Sequence, residues 1–160
     1  WTILRANNQM LDRTDRAILR ELQQNARLSS ENLGEKIGIS RSAAQRRVQL
    51  LRESGAIEKE VAVLSIRHAN ATMTFIVEVE LERERIDLLD EFRRSILKLE
   101  EVQQCYYVTG HTDFVLIVLA KDMASYELFT RQVFTENPNI RRFHTNVVVD
   151  QVKVGLSVPI

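Results

Sequence analysis

The strongest constraint in this sequence is a pair of helix signatures separated by one glycine turn, over residues 29–55. Ser29 is a natural N-cap with Glu31 in the first turn behind it; Leu33 and Ile37 stand four apart on one side, and Gly38 supplies a stop. Ser40 then caps a second helix free of glycine and proline as far as Gly55, which sits where a left-handed C-terminal stop is wanted. Two helices joined by about three residues that include glycine form the helix-turn-helix signature, whose second helix enters the major groove of DNA. Gly34 supports the reading, because a residue without a side chain lets crossing helices approach closely; a tolerated helix defect is its plain alternative.

Wound at about 100° per residue, the second helix places Arg41, Ser42, Gln45, Arg46, Gln49, Arg52 and Glu53 on one face. Ala43, Ala44, Val48, Leu50 and Leu51 share the other. The first face is a row of donors of the planar kind that pairs bidentately with base edges and phosphates, the second a core stripe. A solvated helix face is the alternative for any isolated basic helix, and the helix in front of this one is what argues against it. The expected DNA contacts are Ser40, Arg41, Ser42, Gln45, Arg46 and Gln49, with Arg52 at the far end meeting phosphate. Arg47 falls inside the apolar arc and is expected to pair with Asp12 or Asp15 instead.

The balance of charge agrees. The whole chain is neutral, yet residues 1–60 carry a net +3 and residues 61–160 a net −3, so the basic patch is local and modest. That suits a protein reading one face of a duplex better than one that coats nucleic acid. At 160 residues the chain fits one domain or two small ones. Its longest apolar run, Phe114 to Ala120, is far too short to span a bilayer, and the start lacks the layout of a signal peptide, so a cytoplasmic location is expected. The single cysteine, Cys105, excludes an internal disulfide and multi-cysteine zinc patterns, and its apolar strand suggests a buried structural thiol. His68, His111 and His144 lack metal-ligand spacing, so no metal and no cofactor are expected.

In chain order, residues 1–10 show no period and open on Trp1. Asp12 caps a first helix with Asp15 in its first turn and Ile18, Leu19 and Leu22 as its stripe. After the helix pair, Ile57 to Ile66 alternates and reads as a short strand pair or wing. The helix-turn-helix domain therefore takes residues 11–66, and residues 67–73, without a sustained period, form a linker. A β-α-β-β-α-β order follows over residues 74–160. Thr74 to Glu82 alternates as a half-buried strand should; Ile86 to Leu99 is helical through Leu89, Phe92, Ile96 and Leu99. Val102 to Thr109 and Asp113 to Ala120 pair across a turn at Gly110 to Thr112. Met123 to Glu136 is the second helix, stopped by Asn137-Pro138, and Ile140 to Val149 the fourth strand. This is an α+β fold: a winged helix-turn-helix, then a ferredoxin-like sandwich with both helices on one face of an antiparallel sheet. The segment Gln151 to Ile160 is apolar enough to pack, with a strand on a neighbouring subunit one option.

These residues together resemble the Lrp/AsnC (feast/famine) family of transcriptional regulators. The resemblance lies in Leu11-Asp12-Arg13-Thr14-Asp15-Arg16-Ala17-Ile18-Leu19, Arg27-Leu28-Ser29, Ile37-Gly38-Ile39-Ser40, Arg46-Arg47-Val48, Glu53-Ser54-Gly55-Ala56-Ile57 and the central loop Thr109-Gly110-His111-Thr112-Asp113. It spans about residues 11–155. One departure stands out: members often carry Gly-Tyr soon after the position of Ile57, where this chain has Glu58-Lys59-Glu60, which leaves the wing's contacts to DNA open.

Membership implies operator binding, a RAM/ACT-like second domain for ligand binding and oligomerisation, dimers formed through the sheet that assemble into octamers, and modulation by a small effector, usually an amino acid. Within that expectation Asp113 takes the ammonium, the backbone at Thr109, Gly110 and Thr112 takes the carboxylate, and Thr145 lends a hydroxyl from an adjoining subunit. Gly110 and Asp113 are also simply good turn residues. A small-molecule-binding module that acts on a protein partner is the competing reading. An enzyme is not expected, since no nucleophile grouping, phosphate loop or paired carboxylates in a glycine-lined site are present.

Overall fold

In the computed structural model, which describes residues 11–69 and 73–160, the first helix, α1 (Arg13–Gln24), starts where Asp12 forms a reciprocal capping box with Asp15. Ser29 caps α2 (Ser30–Ile37), and Gly38 ends it in the left-handed conformation at φ 76°, which a Cβ would strain. Ser40 Oγ accepts from the Ala43 amide at 3.2 Å and opens α3 (Arg41–Glu53). Ile18, Leu19, Leu33, Ala44, Val48 and Leu51 bury the stripes of all three helices in one cluster.

The described residues form two compact units, one of residues 11–62 with 154–160, the other within residues 63–153. The second holds β1 (Met73–Leu81), α4 (Ile86–Ile96), β2 (Val102–Tyr107), β3 (Phe114–Ala120), α5 (Met123–Thr130) continued by a π turn over Arg131–Thr135, and β4 (Ile140–Val147). The strands form one antiparallel sheet in the order β2-β3-β1-β4. Phe75, Val77, Val79 and Leu81 from β1 and Phe114, Leu116, Val118 and Ala120 from β3 meet Leu89, Phe92, Ile96, Tyr126, Phe129 and Phe134 in the core. Both helices thus serve one face of the sheet. The opposite face presents Ile76 directly across from Ile117, both half-buried within the chain.

Several expectations change. Residues 58–65 form no strand: Val61, Val63 and Leu64 are 68%, 93% and 76% exposed. An alternating pattern needs a partner backbone, and no described residue supplies one. Ile57 alone turns inward, against the helical cluster. Of the expected linker, Ile66–His68 make one 3-10 turn, Met73 already belongs to β1, and residues 70–72 lie outside the described residues, as do residues 1–10. Leu50, assigned to the core stripe of α3, is 46% exposed. The hairpin connection runs from Val108 to Asp113, longer than the expected three residues, because the strands stop at Tyr107 and Phe114. Cys105 lies exposed on edge strand β2 and not in the core; partial desolvation nevertheless pushes its thiol up to about 11, the opposite of an activated nucleophile. Within the single chain residues 151–160 form no strand, and the part from Val154 onward belongs to the helical unit; pairing with a neighbouring subunit is a separate expectation.

Candidate nucleic-acid interface and effector loop

The turn between α2 and α3 is set by a close approach. A Cβ built on Gly34 would stand 2.6 Å from the Ile39 carbonyl oxygen and 3.4 Å from the Arg41 nitrogen, so only glycine lets the end of the turn lie on α2. The Ile39 amide donates back to the Gly34 carbonyl at 2.9 Å. These contacts fix where α3 begins.

From that start Arg41, Ser42, Gln45 and Arg46 are all exposed along one side of α3, while Ala44, Val48 and Leu51 are buried on the other. Among the described residues no ion pair claims Arg41 or Arg46, so their guanidinium groups keep full donor capacity for an outside acceptor. Ser40 and Ser42 share a hydroxyl contact at 3.2 Å. The two remaining expected contacts are engaged: Gln49 donates to Glu53 at 2.8 Å and Arg52 pairs with Glu60 at 2.9 Å. The acid of the Glu58-Lys59-Glu60 departure therefore stands on the arginine expected at phosphate.

Arg47 behaves as its position in the apolar arc predicts. Its Nη1 reaches Asp12 at 2.6 Å and Asp15 at 2.7 Å. The Asp15 amide and then the Arg47 guanidinium hold the Asp12 carboxyl below its ordinary value, and the two carboxylates in turn hold the guanidinium protonated. The pair ties the start of α1 to the middle of α3 and removes Arg47 from the reading face.

In the sheet unit Thr109 and Gly110 are exposed, with Gly110 at φ 132°. Thr112 and Asp113 are turned inward. Thr112 Oγ1 donates to the Val79 carbonyl at 2.8 Å, and the Asp113 carboxylate accepts the Leu81 amide at 2.7 Å, next to the register shift between Glu80 and Leu81 that interrupts the β1–β4 ladder. Both side chains thus help close the hairpin onto β1. Thr145 is elsewhere: it stands opposite Val77 on the helix-covered side, where its hydroxyl meets that of Tyr126 at 2.6 Å. Within one chain the loop residues come together and Thr145 does not join them. A groove of about 560 Å³, lined by Leu88, Phe92, Leu99 and Val133 among others, opens between α4 and the π turn, and none of the expected effector residues lines it.

Residues 11–52 match the AsnC-type helix-turn-helix domain, and residues 74–158 match the Lrp/AsnC ligand-binding domain. This chain belongs to the Lrp/AsnC family. It is a transcriptional regulator that joins a helix-turn-helix DNA-binding domain to a ligand-binding α+β domain. An HTH-type transcriptional regulator of Sinorhizobium fredii is 51% identical over 94% of this chain and 89% of its own length. The leucine-responsive regulatory protein of Escherichia coli is 34% identical over 89% of this chain and 87% of its own. Among solved structures, a transcriptional regulator of Neisseria meningitidis in complex with L-Met superposes with a TM-score of 0.88 at 30% identity, over 93% of this chain and 96% of that one. An AsnC family regulator from Agrobacterium tumefaciens gives 0.87 at 30%, over 92% and 96%. No described helix of this Lrp/AsnC regulator is long and apolar enough to cross a membrane.

Proposed function

We propose that this regulator is a cytoplasmic homo-oligomer that reads operator DNA with Arg41, Ser42, Gln45 and Arg46 of α3, while Ser40 and Gln49 flank that face, and that an amino acid modulates it. The observation carrying this reading is the exposed row of unclaimed donors on α3, held by the Gly34 contact and backed by the Arg47 pair. Losing a bidentate base contact costs about 1–3 kcal/mol. Arg46→Ala is therefore expected to weaken operator binding by roughly 5- to 150-fold and to relax preference at one position. A gel shift on the upstream region of its own gene, titrated against unrelated DNA and salt, tests this; unchanged affinity and salt slope would remove Arg46 from the interface.

Arg52 is proposed as a phosphate contact restrained by Glu60. An exposed pair of this kind contributes about 0–1 kcal/mol, so DNA can compete for the arginine at modest cost. Glu60→Gln is expected to strengthen binding to unrelated DNA by up to about fivefold and to steepen the salt dependence by up to roughly 0.9, the increment for one phosphate. An unaltered slope would show that Arg52 meets no phosphate.

Dimerisation through the open face of the sheet is supported by its apolar centre, Ile76 and Ile117 with Val115 and Leu119, and the family resemblance supports the assembly of such dimers into octamers. Dimers place two reading heads about one helical turn apart, so footprints should show half-sites spaced by roughly 10 base pairs. For the effector, the L-Met complex of the Neisseria meningitidis relative supports an amino acid. The proposed ligand groups are Asp113 for the ammonium, backbone at Thr109, Gly110 and Thr112 for the carboxylate, and Thr145 of a second copy. A thermal-shift screen of the twenty amino acids with L-Met included is expected to find one that stabilises by about 2.7 kcal/mol at 100 times its dissociation constant. If none raises Tm, Asp113 is withdrawn from the assignment first.

A further inference from the structure

The helical unit contains a segment from far along the sequence: the chain leaves that unit after Ala62 and rejoins it at Val154. Residues 154–160 lie in no helix or strand, and they meet α1. Gln23 grips one residue of the segment twice, its Oε1 accepting the Val158 amide at 2.7 Å and its Nε2 donating to the Val158 carbonyl at 3.1 Å. Arg20, one turn earlier on the same side of α1, donates from Nε to the Ile160 carbonyl. The Ile160 side chain packs half-buried against the cluster that holds Ile18, Leu19 and Leu33. Leu156 and Val158 point their side chains largely into solvent. A side-chain amide that satisfies both backbone groups of one residue does what a neighbouring strand does, so it recognises extended main chain and not a particular side chain. Selectivity comes from the one apolar anchor.

We propose that α1 carries a docking site for an extended peptide segment, occupied by residues 158–160 of the same chain, and that this docking gives the DNA-reading unit a second connection to the sheet unit. The first connection, the chain at residues 62–63, lies within the exposed stretch 58–65, which belongs to no helix or strand. The docked segment is a second tie, made through Gln23 and Arg20 and not through Arg41, Ser42, Gln45 or Arg46. In the homo-oligomer proposed above, on which this consequence rests, the range of half-site separations that two copies can bridge is narrowed.

Amide hydrogen exchange on the full chain tests the docking without DNA. The Val158 amide is expected to exchange at least tenfold more slowly in the unaltered chain than in Gln23→Leu. Gln23→Glu keeps the acceptor but sets a carboxylate against the Val158 carbonyl, and is expected to fall between the two. Arg20→Met, which leaves Gln23 in place, should loosen the same amide to a smaller degree. Equal exchange in all four overturns the site. Gln23 is exposed, so leucine there is tolerated by the helix, and an unchanged helical circular dichroism spectrum confirms that each variant is folded. Mixing Gln23→Leu chains with chains lacking residues 154–160 identifies the occupant: protection of Val158 regained in the mixture means docking between copies and overturns the same-chain assignment, whereas no recovery supports it. Finally, the affinity ratio for operators with half-sites about 10 and about 15 base pairs apart should fall severalfold in Gln23→Leu. Retained protection with an unchanged ratio in that variant's parent and in Gln23→Leu would leave the docking site standing and overturn its restraining role.

Discussion

Gly34→Ala is expected to destabilise the helical unit and to weaken DNA binding by tenfold or more, although alanine is the better helix former. Two terms oppose each other. Intrinsic propensity favours alanine inside a helix by about 1 kcal/mol. Against it, the new methyl would stand 2.6 Å from the Ile39 carbonyl oxygen, and neither that atom nor the Arg41 nitrogen at 3.4 Å belongs to a flexible side chain. Overpacking of this kind costs about 1–3 kcal/mol and more where backbone must move. The backbone that must move is the turn itself, which carries Ser40 and with it the first turn of α3. With backbone on the far side of the contact the clash wins, with a net loss of up to roughly 2 kcal/mol in stability. The loss in affinity is separate, because a displaced Ser40 cap re-aims Arg41 and Arg46 at once. Denaturant unfolding together with a gel shift separates the two effects. A variant more stable than the parent would show that the turn has room and that Gly34 is an ordinary helix defect.

What could be foreseen from the sequence follows local rules. Asp12, Ser29 and Ser40 each cap the helix they precede, because an N-cap acts within three residues of itself. The helical period sets Arg47 in the apolar arc of α3, and an arginine there needs an acid nearby, which Asp12 and Asp15 supply. The β1 alternation put Phe75, Val77, Val79 and Leu81 on one face, since the period of a strand is two. Where nonlocal geometry decides, the same rules stop. The helical period sets the direction of Leu50 but not how far neighbouring helices extend over it, and it stays 46% exposed. Asp113 reads as a turn former or an ammonium ligand, and its carboxylate accepts the Leu81 amide beside a register shift on another strand. Thr145 meets Tyr126 because β4 pairs with β1 in a register that turns it to the helix side, which no spacing within β4 announces. Gln23 and Arg20 resemble any solvated helix positions until residues 158–160 lie against them.

The effect of greatest size is expected at Phe75. It is fully buried at the centre of the sheet unit, and its ring stacks on Tyr126 with centroids 3.7 Å apart. Tyr126 in turn holds Thr145 on β4, so one ring links the middle of the sheet to α5 and to the edge strand. Phe75→Ala removes that contact and leaves a void that the surrounding strands, locked by their ladders to β3 and β4, cannot collapse to fill. Such truncations cost about 3–5 kcal/mol, which for a unit of this size lowers Tm by on the order of 20 °C. Phe75→Leu, which keeps most of the volume, should cost less than about 1.5 kcal/mol. Because the helical unit has its own core of Ile18, Leu33, Ala44 and Val48, calorimetry of Phe75→Ala should resolve a sheet transition moved down and a helical transition left in place. Binding to a single half-site should then survive at temperatures where cooperative binding to paired half-sites is lost. A single transition displaced as a whole would mean that the two cores unfold as one, and the proposed division of labour between a reading unit and an effector unit would have to be drawn on grounds other than folding.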